Sequence, residues 1–134
     1  MKLKRLIILV LAVACLAGCA NENQESEVTT SVSYEQISQD EAKNIMDTES
    51  GYVIIDARTQ EEYDSGHIEG AILVPEYEIA DRAEQELPDK SQLILVYCRS
   101  GRRSKIASQA LADLGYTNVK EFGGIITWEY EIVK

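Results

Sequence analysis

Leu93-Ile94-Leu95-Val96 is an unbroken apolar run, and it constrains the fold more than any other stretch of the chain. A strand with one wet face alternates apolar and polar residues. A run without alternation suits a strand buried on both faces of a parallel sheet. Tyr97 and Cys98 close the run, and an arginine-rich turn follows, Arg99-Ser100-Gly101-Arg102-Arg103. Beyond the turn, Ile106, Ala107, Ala110, Leu111 and Leu114 recur at helical spacing, with Gly115 placed to stop a helix. The pattern predicts a helix beginning near Arg103, its free N–H groups and positive dipole end facing Cys98.

That arrangement favours a thiolate. A free thiol titrates at about 8.5, and each unit of lowering requires about 1.4 kcal/mol of preferential interaction with the anion. Arg99, Arg102 and Arg103 can supply part of it, and can hold an anionic substrate by charge-assisted hydrogen bonds. A lone cysteine is more often a packing residue. Cys98 stands apart because a strand end, a glycine and three arginines surround it within six residues.

The remaining segments repeat one theme. Ser38 and Glu41 have the spacing of a capping box, and Ala42, Ile45 and Met46 share a face of the helix it opens, which Gly51 ends. Val53-Ile54-Ile55-Asp56 reads as a short buried strand with a carboxylate at its end. Thr59 and Glu62 form a second capping box, for a short helix stopped by Gly66. Ala71 to Val74 reads as a strand, Ile79 to Leu87 as a helix, Val119 to Phe122 as a strand and Ile125 to Tyr130 as a final short helix. Strands alternating with helices predict an α/β domain, a central parallel sheet with helices on both faces. Sites in such domains lie beyond the carboxyl ends of the strands, which puts Asp56, Arg58 and the Cys98 loop on one edge. Asp56 and Arg58 then either orient the site or form a structural ion pair. His67, the only histidine, has no second histidine or cysteine at ligand spacing, which argues against a metal site.

Cys98-Arg99-Ser100-Gly101-Arg102-Arg103 resembles the six-residue active-site loop of rhodanese-type sulfurtransferases. Ile55-Asp56-Ala57-Arg58, Glu62-Tyr63 and Gly66-His67-Ile68-Glu69-Gly70-Ala71 resemble that family's upstream signature. Phe122-Gly123-Gly124-Ile125 with Trp128 matches its usual ending, so the resemblance runs from about Tyr34 to the C-terminus. It implies a rhodanese-like fold with a parallel sheet of about five strands. It also implies double displacement: Cys98 takes a sulfur from a small donor such as thiosulfate, and a thiol or cyanide acceptor removes it. Backbone N–H groups of Arg99 to Arg103, Ser100 and Gly101 among them, would cradle that sulfur, with no metal or organic cofactor. Phosphatases and arsenate reductases of related fold carry a loop one residue longer that ends in arginine. Here the sixth residue is Arg103 and the seventh is Ser104, so the ring is expected to be too small for a tetrahedral oxyanion. A non-catalytic sulfur-carrier or binding module is the third reading.

The start of the chain belongs to something else. Lys2, Lys4 and Arg5 precede an apolar run from Leu6 to Ala17. That is shorter than the roughly 20 residues of a spanning helix, and it reads as a secretory leader. Leu16-Ala17-Gly18-Cys19 resembles a bacterial lipobox, which makes residues 1–18 a lipoprotein signal peptide and Cys19 the acylated first residue of the mature chain. Residues 19–33 carry Glu22, Glu25 and Glu27 with no basic residue and read as a disordered tether, followed by the domain at 34–134. Loss of the leader removes three of 13 basic residues and none of the 23 acids, and 13 − 3 − 23 gives a mature charge of −13. Such a domain is not built for nucleic acid or for an anionic bilayer, and its arginine turn is a positive island. The expected location is a bacterial envelope, outside the cytoplasm, tied to a membrane by lipid.

Overall fold

A computed structural model describes residues 33–134. The apolar run becomes β4 (Ile94–Cys98), and all five of its residues are buried. It sits between β2 (Val53–Asp56) and β5 (Val119–Gly124) in a five-stranded parallel sheet. With β1 (Glu35–Gln36) and β3 (Ile72–Leu73) at the edges, the order is β1-β5-β4-β2-β3. Burial on both faces explains the missing alternation. Ile94, Val96 and Cys98 join the core beneath helices α3 (Ile79–Glu86) and α4 (Arg102–Asp113). Leu95 and Tyr97 join the core on the opposite face, with α1 (Gln39–Thr48). Tyr63 of the fourth helix, α2 (Gln60–Ser65), also packs on that second core.

The helix ends form as the capping rules dictate. Ser38 Oγ accepts from Glu41 N–H at 3.1 Å to open α1. At α2 the Thr59–Glu62 box closes in both directions. α4 ends in a Schellman motif, with Tyr116 N–H donating to Leu111 O at 3.1 Å and Gly115 N–H to Ala112 O at 2.9 Å.

Two elements differ from expectation. The last helix is only a 3-10 turn, Ile125–Thr127, because the chain at Trp128 turns extended (φ −74°, ψ 114°) and its ring packs 5.6 Å from that of Phe122. β1 is an edge strand with no apolar signature, held by parallel pairing of Glu35 and Gln36 with Lys120 and Glu121.

The strand order reverses direction around β4: the chain leaves β2 for β3 on one side and β4 for β5 on the other. Beyond the strand ends at such a switch is where α/β sheets bind ligands. Cys98 is the last residue of β4.

Candidate active site

β4 delivers Cys98 to the carboxyl edge of the sheet, where it is 1 % exposed. Gly101 is the residue before α4 and adopts the left-handed conformation (φ 101°, ψ −15°) with no side-chain cap. The turn therefore folds back over the sulfur, and Gly101 N–H donates to Cys98 Sγ at 3.1 Å. Burial pushes the thiol up. Hydrogen bonds from the Ser104 hydroxyl and from the N–H groups of Ser104, Gly101 and Ser100 outweigh it, so the thiol titrates below its ordinary value. The backbone N–H groups that reach the sulfur are those of Ser100, Gly101 and Ser104, and no guanidinium is among the causes of the shift.

The three arginines divide into two kinds. Arg99 and Arg102 are exposed at the rim, beside the exposed Ser100, and among the described residues their side chains make no hydrogen bond. Arg103 is turned away to Glu62 of α2 in a two-pronged ion pair, both N–O distances 2.7 Å. This pair holds the Glu62 carboxyl down at about 2, the Arg103 hydrogen bond being the main cause. The sequence allows all three arginines to hold an anion. In the structure the third latches α4 to α2 through its pair with Glu62.

Asp56 and Arg58 are both buried and bind each other, with Arg58 Nε 2.9 Å from Asp56 Oδ1 and Nη2 2.6 Å from Oδ2. Arg58 Nη2 also donates to Gly66 O at 2.7 Å. Tyr97 O–H donates to Asp56 Oδ2 at 2.7 Å and accepts from Ile68 N–H at 3.1 Å. The network ties β2 and β4 to the loop after α2, and neither charged residue hydrogen-bonds residues 98–104. His67 stacks on Tyr63 with ring centroids 3.7 Å apart and bridges to Val133 through its backbone, away from the thiol. Cys19 lies outside the described residues.

Three residues at the site escaped the sequence reading. Ser104 Oγ is 3.4 Å from Cys98 Sγ and 2.6 Å from Glu121 Oε1. Both Ser104 and Glu121 are buried. Pairing of Val96 with Glu121 and of Cys98 with Gly124 leaves one extra residue on β5, a bulge beside Cys98. Gly124 lies so close to the loop that a Cβ there would be 2.1 Å from Arg99 O and 2.5 Å from Ser100 Cα. Polar residues at inward positions, Ser104 one turn before Ser108 and Glu121 two residues after Val119, were the available signal.

A family model described as "Rhodanese-like domain" matches residues 38–131. Thiosulfate sulfurtransferase PspE of Escherichia coli is 41 % identical over 71 residues, which are 53 % of this chain and 68 % of that protein. Thiosulfate sulfurtransferase GlpE of Coxiella burnetii is 33 % identical over 97 residues, 72 % of this chain and 88 % of the relative. Among solved structures, "rhodanese with anions from E. coli" superimposes with a TM-score of 0.59 at 37 % identity, covering 62 % of this chain and 98 % of the other.

Proposed function

The chain belongs to the rhodanese-like domain family, and on that premise we propose that it is a thiosulfate sulfurtransferase working by double displacement on Cys98. The observation that carries the reading is the Cys98 sulfur at the floor of an N–H-lined turn, its thiol lowered by those hydrogen bonds, beneath two exposed arginines. In the first half-reaction the Cys98 thiolate attacks the outer sulfur of thiosulfate. A sulfur–sulfur bond forms, the bond to the sulfonate sulfur breaks with its electron pair, and sulfite departs. The outer sulfur stays on Cys98 as a persulfide anion. In the second, cyanide or a thiolate attacks that outer sulfur and Cys98 leaves as thiolate. Charge balances in both steps, and the exchange requires no metal or organic cofactor.

Arg99 and Arg102 meet the donor's sulfonate at the rim, and the N–H groups of Ser100 and Gly101 hold the transferred sulfur. Arg103, committed to Glu62, positions the loop. The proposal extends to location: residues 1–18 act as a lipoprotein signal, acylated Cys19 anchors the chain outside the cytoplasm, and residues 19–33 are the tether. The six-residue turn from Cys98 to Arg103 favours sulfur over the larger tetrahedral oxyanions of phosphatase chemistry.

The test is an intact mass after incubation with thiosulfate. Wild type should gain one sulfur atom, lost again on adding cyanide, and Cys98→Ala should gain none. A charged hydrogen bond is worth about 1.5–3 kcal/mol, so Arg102→Ala should lower kcat/KM for thiosulfate roughly ten- to a hundredfold, and much less for a neutral persulfide donor. No sulfur on wild-type Cys98 together with thiol-dependent phosphatase turnover would reverse the ranking of the two chemistries. Sulfur loading without turnover would favour the carrier reading.

A further inference from the structure

Glu121 is a carboxylate 3 % exposed, and no cation pairs with it among the described residues. Its partners are the Ser104 hydroxyl at 2.6 Å, the Gly123 N–H at 2.8 Å and, at 3.5 Å, the side-chain amide of Gln36. Ser104 Oγ is in turn 3.4 Å from Cys98 Sγ. The Ser104 hydroxyl has one proton; Gly101 O at 3.0 Å and Gly123 O at 3.3 Å are also in reach, but Glu121 Oε1 is its nearest acceptor, and Cys98 Sγ and Glu121 are its two acidic neighbours. If that proton lies on Glu121, the hydroxyl can only accept from the Cys98 thiol. If it lies on the Cys98 sulfur, the hydroxyl stabilises a thiolate and must accept from a protonated Glu121. The hydroxyl can donate to only one of the two at a time, and the chain of contacts runs from Cys98 Sγ through Ser104 Oγ to Glu121 Oε1.

We propose that Glu121 is the proton partner of Cys98, exchanging the thiol proton through Ser104. In the exchange the Cys98 S–H bond breaks as a bond from that proton to Ser104 Oγ forms. The original Ser104 O–H bond breaks as a bond to Glu121 Oε1 forms. The products are a thiolate, a serine hydroxyl and a carboxylic acid, and the total charge is unchanged. The enzyme thus generates its nucleophile without releasing a proton to water, and rests with a thiol shielded from oxidation.

The other charged groups near the pair are accounted for. Arg103 on α4 feels the Cys98 charge but is held by Glu62 of α2, with Glu76 nearby. Lys105 lines the same shallow hollow as Glu121, together with Gln36 and Gln39. Arg99 and Arg102 are at the exposed rim, and Asp56 is bound by Arg58. Only Glu121 reaches the sulfur through a single hydroxyl.

This deepens the sulfurtransferase reading, but its test reads the thiol and not turnover, so the two can fail separately. The pH dependence of iodoacetamide alkylation is measured on the purified full-length protein, by mass of the peptide carrying Cys98. Wild type should show two steps, since two groups share the proton. Glu121→Gln should give one step shifted down by about one pH unit, and Ser104→Ala should shift the profile up by about as much. Opposite shifts from two truncations in one contact are not what a merely structural pair gives. In a Ser104→Ala background the Glu121→Gln shift should shrink by at least half. A single-step wild-type profile overturns the proposal without any variant. So does an unmoved or raised profile in Glu121→Gln, or an equal shift in both backgrounds, which would make Glu121 a through-space charge only.

Discussion

Glu62 serves two elements at once. Its carboxylate caps α2 through Thr59 and receives both prongs of Arg103 from α4. The folded carboxyl titrates at about 2 instead of the ordinary 4.5. A carboxyl lowered by folding contributes stability in full above its unfolded value, and that contribution is lost as the pH falls toward the folded one. Discounted for partial exposure, the pair is worth about 2 kcal/mol at neutral pH. Glu62→Gln should therefore unfold at lower urea than wild type at pH 7, and the gap should close between about pH 4.5 and pH 2. A deficit of the same size at pH 3 and pH 7 would locate the loss in the cap's shape and not in the charge. The same residue shows what a sequence conveys at this scale. The Thr59–Glu62 spacing revealed the cap, and Cys98 with its loop was legible from strand, glycine and arginines. That Glu62 would take Arg103 out of the anion site depends on the angle between two helices 41 residues apart in sequence, which no local pattern encodes.

Elements were legible in proportion to their apolar signature. β2, β4, α1 and α4 carry buried runs or stripes between recognisable caps, and all formed. β1 was silent because Glu35 and Gln36 are exposed and polar, and what holds them is backbone pairing plus side-chain contacts to Lys120 and Glu121 of β5. The end of β5 explains the glycine pair that sequence alone could only match to a family ending. The active-site turn crosses β5 at Gly124, and Ile126 N–H anchors it by donating to Arg99 O at 3.2 Å. A methyl group on Gly124 would sit 2.1 Å from that carbonyl oxygen and 2.4 Å from its carbon, both backbone atoms unable to rotate aside. Overpacking typically costs about 1–3 kcal/mol, and backbone against backbone belongs at the upper end. Gly124→Ala should lower the urea midpoint accordingly. By lifting the turn off Cys98 Sγ, it should also raise the pH at which the thiol alkylates. Wild-type stability and an unmoved alkylation profile would show that the loop does not depend on this approach.

At the scale of the whole molecule, charge decides how the protein can be held at a membrane. With residues 1–18 removed, as the lipoprotein proposal requires, the chain would carry 10 basic residues against its 23 acids, and an anionic bilayer would repel it. The repulsion is screened within a Debye length of about 8 Å at physiological ionic strength. No helix among the described residues is long and apolar enough to cross a membrane. Under the Cys19 proposal attachment comes from acyl chains, each buried methylene contributing about 0.8 kcal/mol. Acyl burial and electrostatic adsorption respond oppositely to salt. Wild-type protein should stay with the membrane fraction through a wash at about 1 M salt, where the Debye length is near 3 Å, and should leave with detergent. Cys19→Ser should lose both acylation and cleavage at that position, seen as an unlipidated precursor mass, while the purified variant still takes up sulfur on Cys98. That separation follows from the architecture, since the groups that contact the thiol lie on β4, on α4 and on the turn between them. Release of wild type by salt, or unchanged acylation in Cys19→Ser, would remove the lipid anchor from the account and leave the chemistry at Cys98 untouched.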